Sequence, residues 1–84
     1  MVERKYADSS NPAIGGITVT TSDTVDLSVV TRGLYVGVAG DVKVTMADDT
    51  VITFVGLAAG IEHAIAAKRV WATGTTATSI LGLY

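Results

Sequence analysis

Along most of the chain, apolar and polar residues alternate with a period of two. In Val42-Lys43-Val44-Thr45-Met46 the apolar side chains fall on one face and the polar ones on the other. Val25, Leu27 and Val29 alternate with Thr24, Asp26 and Ser28. Ile17 and Val19 alternate with Thr18 and Thr20, and Leu34, Val36 and Val38 share a face opposite Tyr35 and Gly37. A two-residue period belongs to half-buried β-strands. Residues 51–55 are apolar on both faces except Thr53, which predicts a strand covered on both sides. Residues 77–84 read as a last strand.

Turn residues punctuate this pattern. Thr31-Arg32-Gly33 separates the second and third strands. Ala39-Gly40-Asp41 reads as a tight hairpin connection whose glycine can take φ > 0. Asp48-Asp49 forms a hairpin tip, since aspartate tolerates the left-handed region and can bond its own backbone. Residues 56–60 form a short loop, and Thr73-Gly74-Thr75-Thr76 is the last turn. Residues 61–69 are alanine-rich, with Ile61, Ile65 and Lys68 at helical spacing. Propensity alone leaves 61–68 open between helix and strand. Turn signals at this spacing predict an all-β fold, a small antiparallel β-sandwich or barrel of about eight short strands.

Residues 1–13 lack any period and hold Glu3, Arg4, Lys5 and Asp8 before Ser9-Ser10-Asn11-Pro12. They read as an extended N-terminal arm ahead of a single β domain over 14–84. Extended, such an arm reaches roughly 40–45 Å. Val2, Arg4, Tyr6 and Pro12 are its candidate contacts with a neighbouring subunit or with a surface beneath the domain.

Composition sharpens this picture. Threonine and valine each occur twelve times, and both are β-branched residues that fit a pleated surface. Apolar residues make up 49% of the 84 and charged residues 17%, where soluble domains carry about 25% charged. A domain of this size buries only about 60–65% of its unfolded surface. Apolar surface is therefore left over, and copies or a partner must cover it. Six basic residues against eight acidic ones argue against phosphate neutralisation, so no nucleic-acid partner is expected. No apolar run approaches the ~18–20 residues of a membrane span. The charged start of the chain is unlike a signal peptide. The absence of cysteine removes disulfides and thiolate metal sites and suits assembly in a reducing cytoplasm.

No catalytic constellation emerges. His63 is the lone histidine, and no serine lies in a nucleophile-elbow context. Glu62 and His63 are adjacent, so on a strand they point to opposite faces. Asp48-Asp49 and Asp41 lack the alternate spacing of a calcium loop. No enzyme activity, cofactor or metal is expected. Trp71, Tyr35 and Tyr84 are candidates for subunit contacts, since aromatic side chains bury much area at low entropy cost. A glycan platform on Trp71 or Tyr35 is a competing reading.

The stretches Arg32-Gly33-Leu34-Tyr35-Val36-Gly37-Val38-Ala39-Gly40-Asp41-Val42, Thr50-Val51-Ile52-Thr53-Phe54-Val55-Gly56 and Arg69-Val70-Trp71-Ala72-Thr73-Gly74-Thr75-Thr76-Ala77-Thr78 together resemble the head spike base family of tailed phages and gene transfer agents. The resemblance covers about residues 14–84. Asp48-Asp49 departs from the Asp-Gly expected at the hairpin tip, and 56–60 lacks the expected proline. The resemblance implies a structural virion protein that forms a homo-oligomer, a pentamer at a fivefold vertex. It would bind capsid protein and carry a spike or fibre protein. A capsid decoration or cement protein is the alternative within the same class.

Overall fold

The computed structural model describes residues 13–84. The expected arm contacts Val2, Arg4, Tyr6 and Pro12 lie outside the described residues. Seven strands follow in order: β1 (Gly16–Thr18), β2 (Gly33–Val38), β3 (Gly40–Met46), β4 (Val51–Leu57), β5 (Glu62–His63), β6 (Ala67–Val70) and β7 (Thr78–Leu83). They form two antiparallel sheets, of order β1-β7-β2-β5 and β4-β3-β6. The fold is all-β, as expected, and the two sheets stay open as a sandwich instead of closing into a barrel.

The alternation read in the sequence places the core. Leu34, Val36 and Ile80 from the four-stranded sheet meet Val42, Val44, Ala67 and Val70 from the three-stranded one. Leu34, Val36, Val42 and Val44 are fully buried. Each alternates with an outward neighbour, so the two inner faces interdigitate into one apolar layer.

Several connections differ from the expectation. The predicted hairpin at Ala39-Gly40-Asp41 does not form, because β2 and β3 lie in different sheets. The chain arches from one layer to the other there, and Gly40 is not left-handed. Its lack of a side chain serves a close approach: a Cβ at Gly40 would sit 2.7 Å from the backbone nitrogen of Ala77. The Asp48-Asp49 tip is a true hairpin turn, with Asp49 at φ 74 and the Thr50 N–H donating to the Asp48 carboxylate. Ser79 also lies at positive φ, inside β7. Gly37 opposite makes room for it, since a Cβ there would lie 2.7 Å from the Ser79 Cβ.

The alternating stretch 24–29 is not a strand. Residues 19–31 leave β1 and run along the outer edge of β6 as irregular chain. Their N–H groups reach β6 at Ser22 to Val70 O (2.9 Å), Leu27 to Lys68 O (2.7 Å) and Thr31 to Ala67 O (3.0 Å). Ten residues of crossing chain thus span four residues of β6, a mismatch that excludes a regular ladder. Residues 61–68 contain no helix. β5 ends at His63, residues 64–66 cross between layers, and β6 begins at Ala67. Buried Ile65 and Ala67 tie that crossing into the core, which overrides the helical preference of alanine.

Residues 51–55 correct the expectation most. β4 is the edge strand of its sheet, not a covered one. Val51, Ile52 and Val55 are exposed, Val55 at 77%.

The Thr31 hydroxyl links the layers. It donates to Ile65 O (2.8 Å) and accepts from the Ala67 N–H (3.0 Å), while Thr31 is buried. Replacing it with valine strands a buried donor and acceptor, so Thr31→Val is expected to cost about 1–3 kcal/mol. Val55→Ala, at an exposed position, should stay within about 0.5 kcal/mol. Urea unfolding of both variants checks this contrast.

Candidate interaction surfaces

Strand register assigns each candidate residue to a face. Leu34 and Val36 point inward, so Tyr35 between them points outward from the four-stranded sheet. It stands directly opposite Leu81 on one side and Glu62 on the other. Leu83 continues the same outer face opposite Gly33.

On the three-stranded sheet, Val42 and Val44 point inward, so Lys43 and Thr45 point outward. Their partners Thr53 and Val51 share that outer face. Arg69, opposite Thr45, joins them. Trp71 lies across this group, its N–H bonded to Lys43 O (2.8 Å) and its indole N–H donating to the Thr45 hydroxyl (3.0 Å). The Lys43 ammonium lies 4.4 Å from the indole centroid and the Arg69 guanidinium carbon 5.5 Å. Two cations therefore already engage the ring that a sugar would need.

Acidic residues from the crossing segment lock this surface. Arg69 Nε donates to Asp26 at 2.8 Å, and the Asp23 carboxylate accepts from the Thr73 N–H (2.8 Å) and hydroxyl (2.6 Å). The Thr73 hydrogen bonds hold the Asp23 carboxyl below its ordinary value. Bonds to Thr50 do the same for Asp48 in the hairpin, and the ion pair with Asp49 raises Lys68.

Tyr84 sits elsewhere again. Its carbonyl accepts from the N–H groups of Ile14 (2.7 Å) and Gly15 (3.0 Å), and its own N–H returns to Gly15 O. It anchors the chain at the point where residue 13 leads back toward the N-terminus. The structure therefore puts Tyr35, Trp71 and Tyr84 in three separate places, Tyr35 and Trp71 on opposite faces. His63 bonds the Ala58 carbonyl through Nε2 (2.9 Å), a link across its own loop.

Apolar residues that the sequence reading did not single out complete the surface. Ile14, Val25, Val51, Val55 and Ile61 are all exposed. The signal for two of them was present, because a strand apolar on both faces needs a cover that a domain this small does not supply.

Beside β1 runs an open groove of about 590 Å³, walled by Ile17, Thr18, Thr20, Val25, Asp26 and Leu27.

With this geometry in view, the comparisons with known proteins are informative. No protein-family model matches the chain, and no curated protein matches it. A solved structure does. A chain in "Capsid of native GTA particle computed with C5 symmetry" superposes with a TM-score of 0.79 at 30% identity, over 92% of this chain and 89% of that one. The chain belongs to this family of gene transfer agent capsid proteins. The sandwich is thus a fold found in a gene transfer agent capsid.

Because the folded Asp23 carboxyl titrates below 3.8, its contribution to stability is present above that value and is lost as pH falls through the folded value. Asp23→Asn is expected to weaken the acid-side loss of stability. Thermal midpoints of both proteins between about pH 5 and 2.5 test this.

Proposed function

We propose that the chain is the base subunit of a head spike: a homo-oligomeric ring, pentameric and seated at a fivefold vertex, that joins the shell to a spike or fibre protein. In this reading it acts by geometry and binding, not by catalysis. The observation that carries it is the likeness, across nearly the whole chain, to a capsid chain from a particle computed with C5 symmetry. The resemblance of residues 32–42, 50–56 and 69–78 to head spike base proteins supports the finer assignment.

The surface is consistent with ring formation. A cyclic assembly with more than two copies uses head-to-tail contacts, in which each copy offers two different surfaces. Tyr35 with Leu81, and Trp71 with Val51, lie on opposite outer faces, so a copy does not present the same surface on its two sides. Residues 1–13 are the proposed tether to the shell, with Val2, Arg4, Tyr6 and Pro12 as its contacts, and 14–84 the folded unit. The particle is the proposed location, after assembly in the host cytoplasm.

The native mass of the purified chain and its copy number per particle test the proposal. A ring in solution with tens of copies per particle is expected. Hundreds of copies spread over the shell would replace the spike base with a decoration protein. A solitary chain that binds no particle would end both readings. A glycan module has no support from Trp71, whose ring is taken up by Lys43 and Arg69. Trp71→Ala is expected to leave any host adhesion unchanged in a binding assay.

A further inference from the structure

Two open sheets have four lateral edges, and the chain treats them unequally. The β6 edge is occupied by the crossing segment through the bonds from Ser22, Leu27 and Thr31. The β5 edge is only two residues long, and Glu62 puts a charge on it. An exposed edge strand is ordinarily protected by brevity, charge or proline. β4 has none of these, and the bulge in its pairing with β3, another such device, is confined to its far end beyond Phe54. The strand runs seven residues, Val51-Ile52-Thr53-Phe54-Val55-Gly56-Leu57, without a charge or a proline. β1, three residues long, is likewise uncharged, has no further strand beside it among the described residues, and contributes Ile17 and Thr18 to the groove of about 590 Å³.

Register identifies the backbone groups that each edge offers. Met46 N–H bonds Thr50 O, so the bonded pairs of the β3–β4 ladder are 46–50, 44–52 and 42–54. The N–H and C=O of Val51 and Thr53 therefore point away from the sheet, and beyond Phe54 the register shifts and the alternation ends. On β1, Gly15 exchanges both bonds with Tyr84, and Val19 bonds Ile80 O. The groups of Gly16 and Thr18 therefore point outward.

The two free edges lie on opposite sides of the sandwich. β1 is on the side of β6, tied to it by the crossing segment. β4 is on the side of β5, joined to it by residues 58–61, where the Gly60 N–H bonds Val36 O at the β2 margin (2.8 Å). Exposed apolar residues gather at both: Val51, Ile52, Val55 and Ile61 near β4, Ile14 and Val25 near β1.

We infer that β4 of one copy adds as a fifth strand to the β1 edge of the next copy's four-stranded sheet, with its apolar side chains in the groove between Ile17 and Val25. The inference rests on the ring reading above and names its contact. The occupant is a second copy because the chain carries both halves of the match: two uncharged edges with outward backbone groups, facing in opposite directions. A lasting contact buries about 800 Å² per partner. That is under a fifth of the 4596 Å² the chain exposes, so both contacts fit on one small copy. Strand addition supplies the bonds, and the apolar seam supplies the rest of the area.

Proline substitution separates this from other contacts. Thr53→Pro and Thr18→Pro each remove one outward N–H while sparing the bonds inside the copy. Native mass spectrometry of each variant is expected to fall from the ring mass to the single-chain 8.6 kDa, with circular dichroism unchanged. An equimolar mixture is expected to recover a two-chain species and nothing larger, because each partner keeps one complementary edge. Val55→Lys and Val25→Lys leave the backbone intact and are expected to loosen the ring by at least tenfold in dissociation constant. They decide the matter if either proline variant fails to fold. A wild-type ring that survives these substitutions overturns the edge pairing and leaves the ring standing. Pairs formed by Thr18→Pro alone also overturn it, since β4 would then be joining β4. A wild-type chain that is solitary overturns the ring itself.

Discussion

The structure depends on one constraint: a sandwich of seven short strands must satisfy its edges with very little chain. It meets part of that need internally. Residues 19–31 give up regular pairing to lie along β6, and Thr31 ends the crossing with a hydroxyl that bonds both Ile65 and Ala67. That buried hydroxyl sits where the crossing segment, the 64–66 connection and the start of β2 converge. With β6 closed in this way, the core of Leu34, Val36, Val42, Val44 and Val70 is held between two layers that cannot slide apart independently.

The same economy explains the surface. Charges are few, and several are spent on fixing local shape: Asp26 on Arg69, Asp49 on Lys68, Asp23 on Thr73. Trp71 is held by the Thr45 hydroxyl and two cations, so its ring is fixed in place instead of standing as an open aromatic platform. Among the described residues, six of the ten exposed large apolar side chains lie along β4 or beside β1. A family of capsid proteins is a fitting place for such a molecule, since apolar edges that endanger a free protein can be covered in an assembled particle.

Much of the fold was legible from the residues. Period-two alternation located the strands that build the core, and Asp48-Asp49 and Gly74 marked true turns, with Asp49 and Gly74 left-handed. Alternation reports which face a side chain takes, not which backbone it pairs with, so residues 24–29 looked like a strand and are not. It also cannot say whether consecutive strands share a sheet, and the short link at Ala39 was therefore read as a hairpin where it is an arch. The apolar run at 51–55 was seen but assigned a cover within its own domain. The interaction surfaces were legible only as residue types: Tyr35, Trp71 and Tyr84 stand out in the sequence as large aromatics, but their separation onto different faces depends on register.

The position of β7 has a consequence for how the molecule is made. The strand is the seventh in chain order, yet it lies between β1 and β2 and pairs with both. A nascent chain can form the β3–β4 hairpin early, but β1 has no neighbour in its sheet until β7 emerges from the ribosome. Folding of the four-stranded layer is therefore dominated by contacts distant in sequence and is correspondingly slow. Until β7 is in place, β1 belongs to no sheet and has no strand edge of its own.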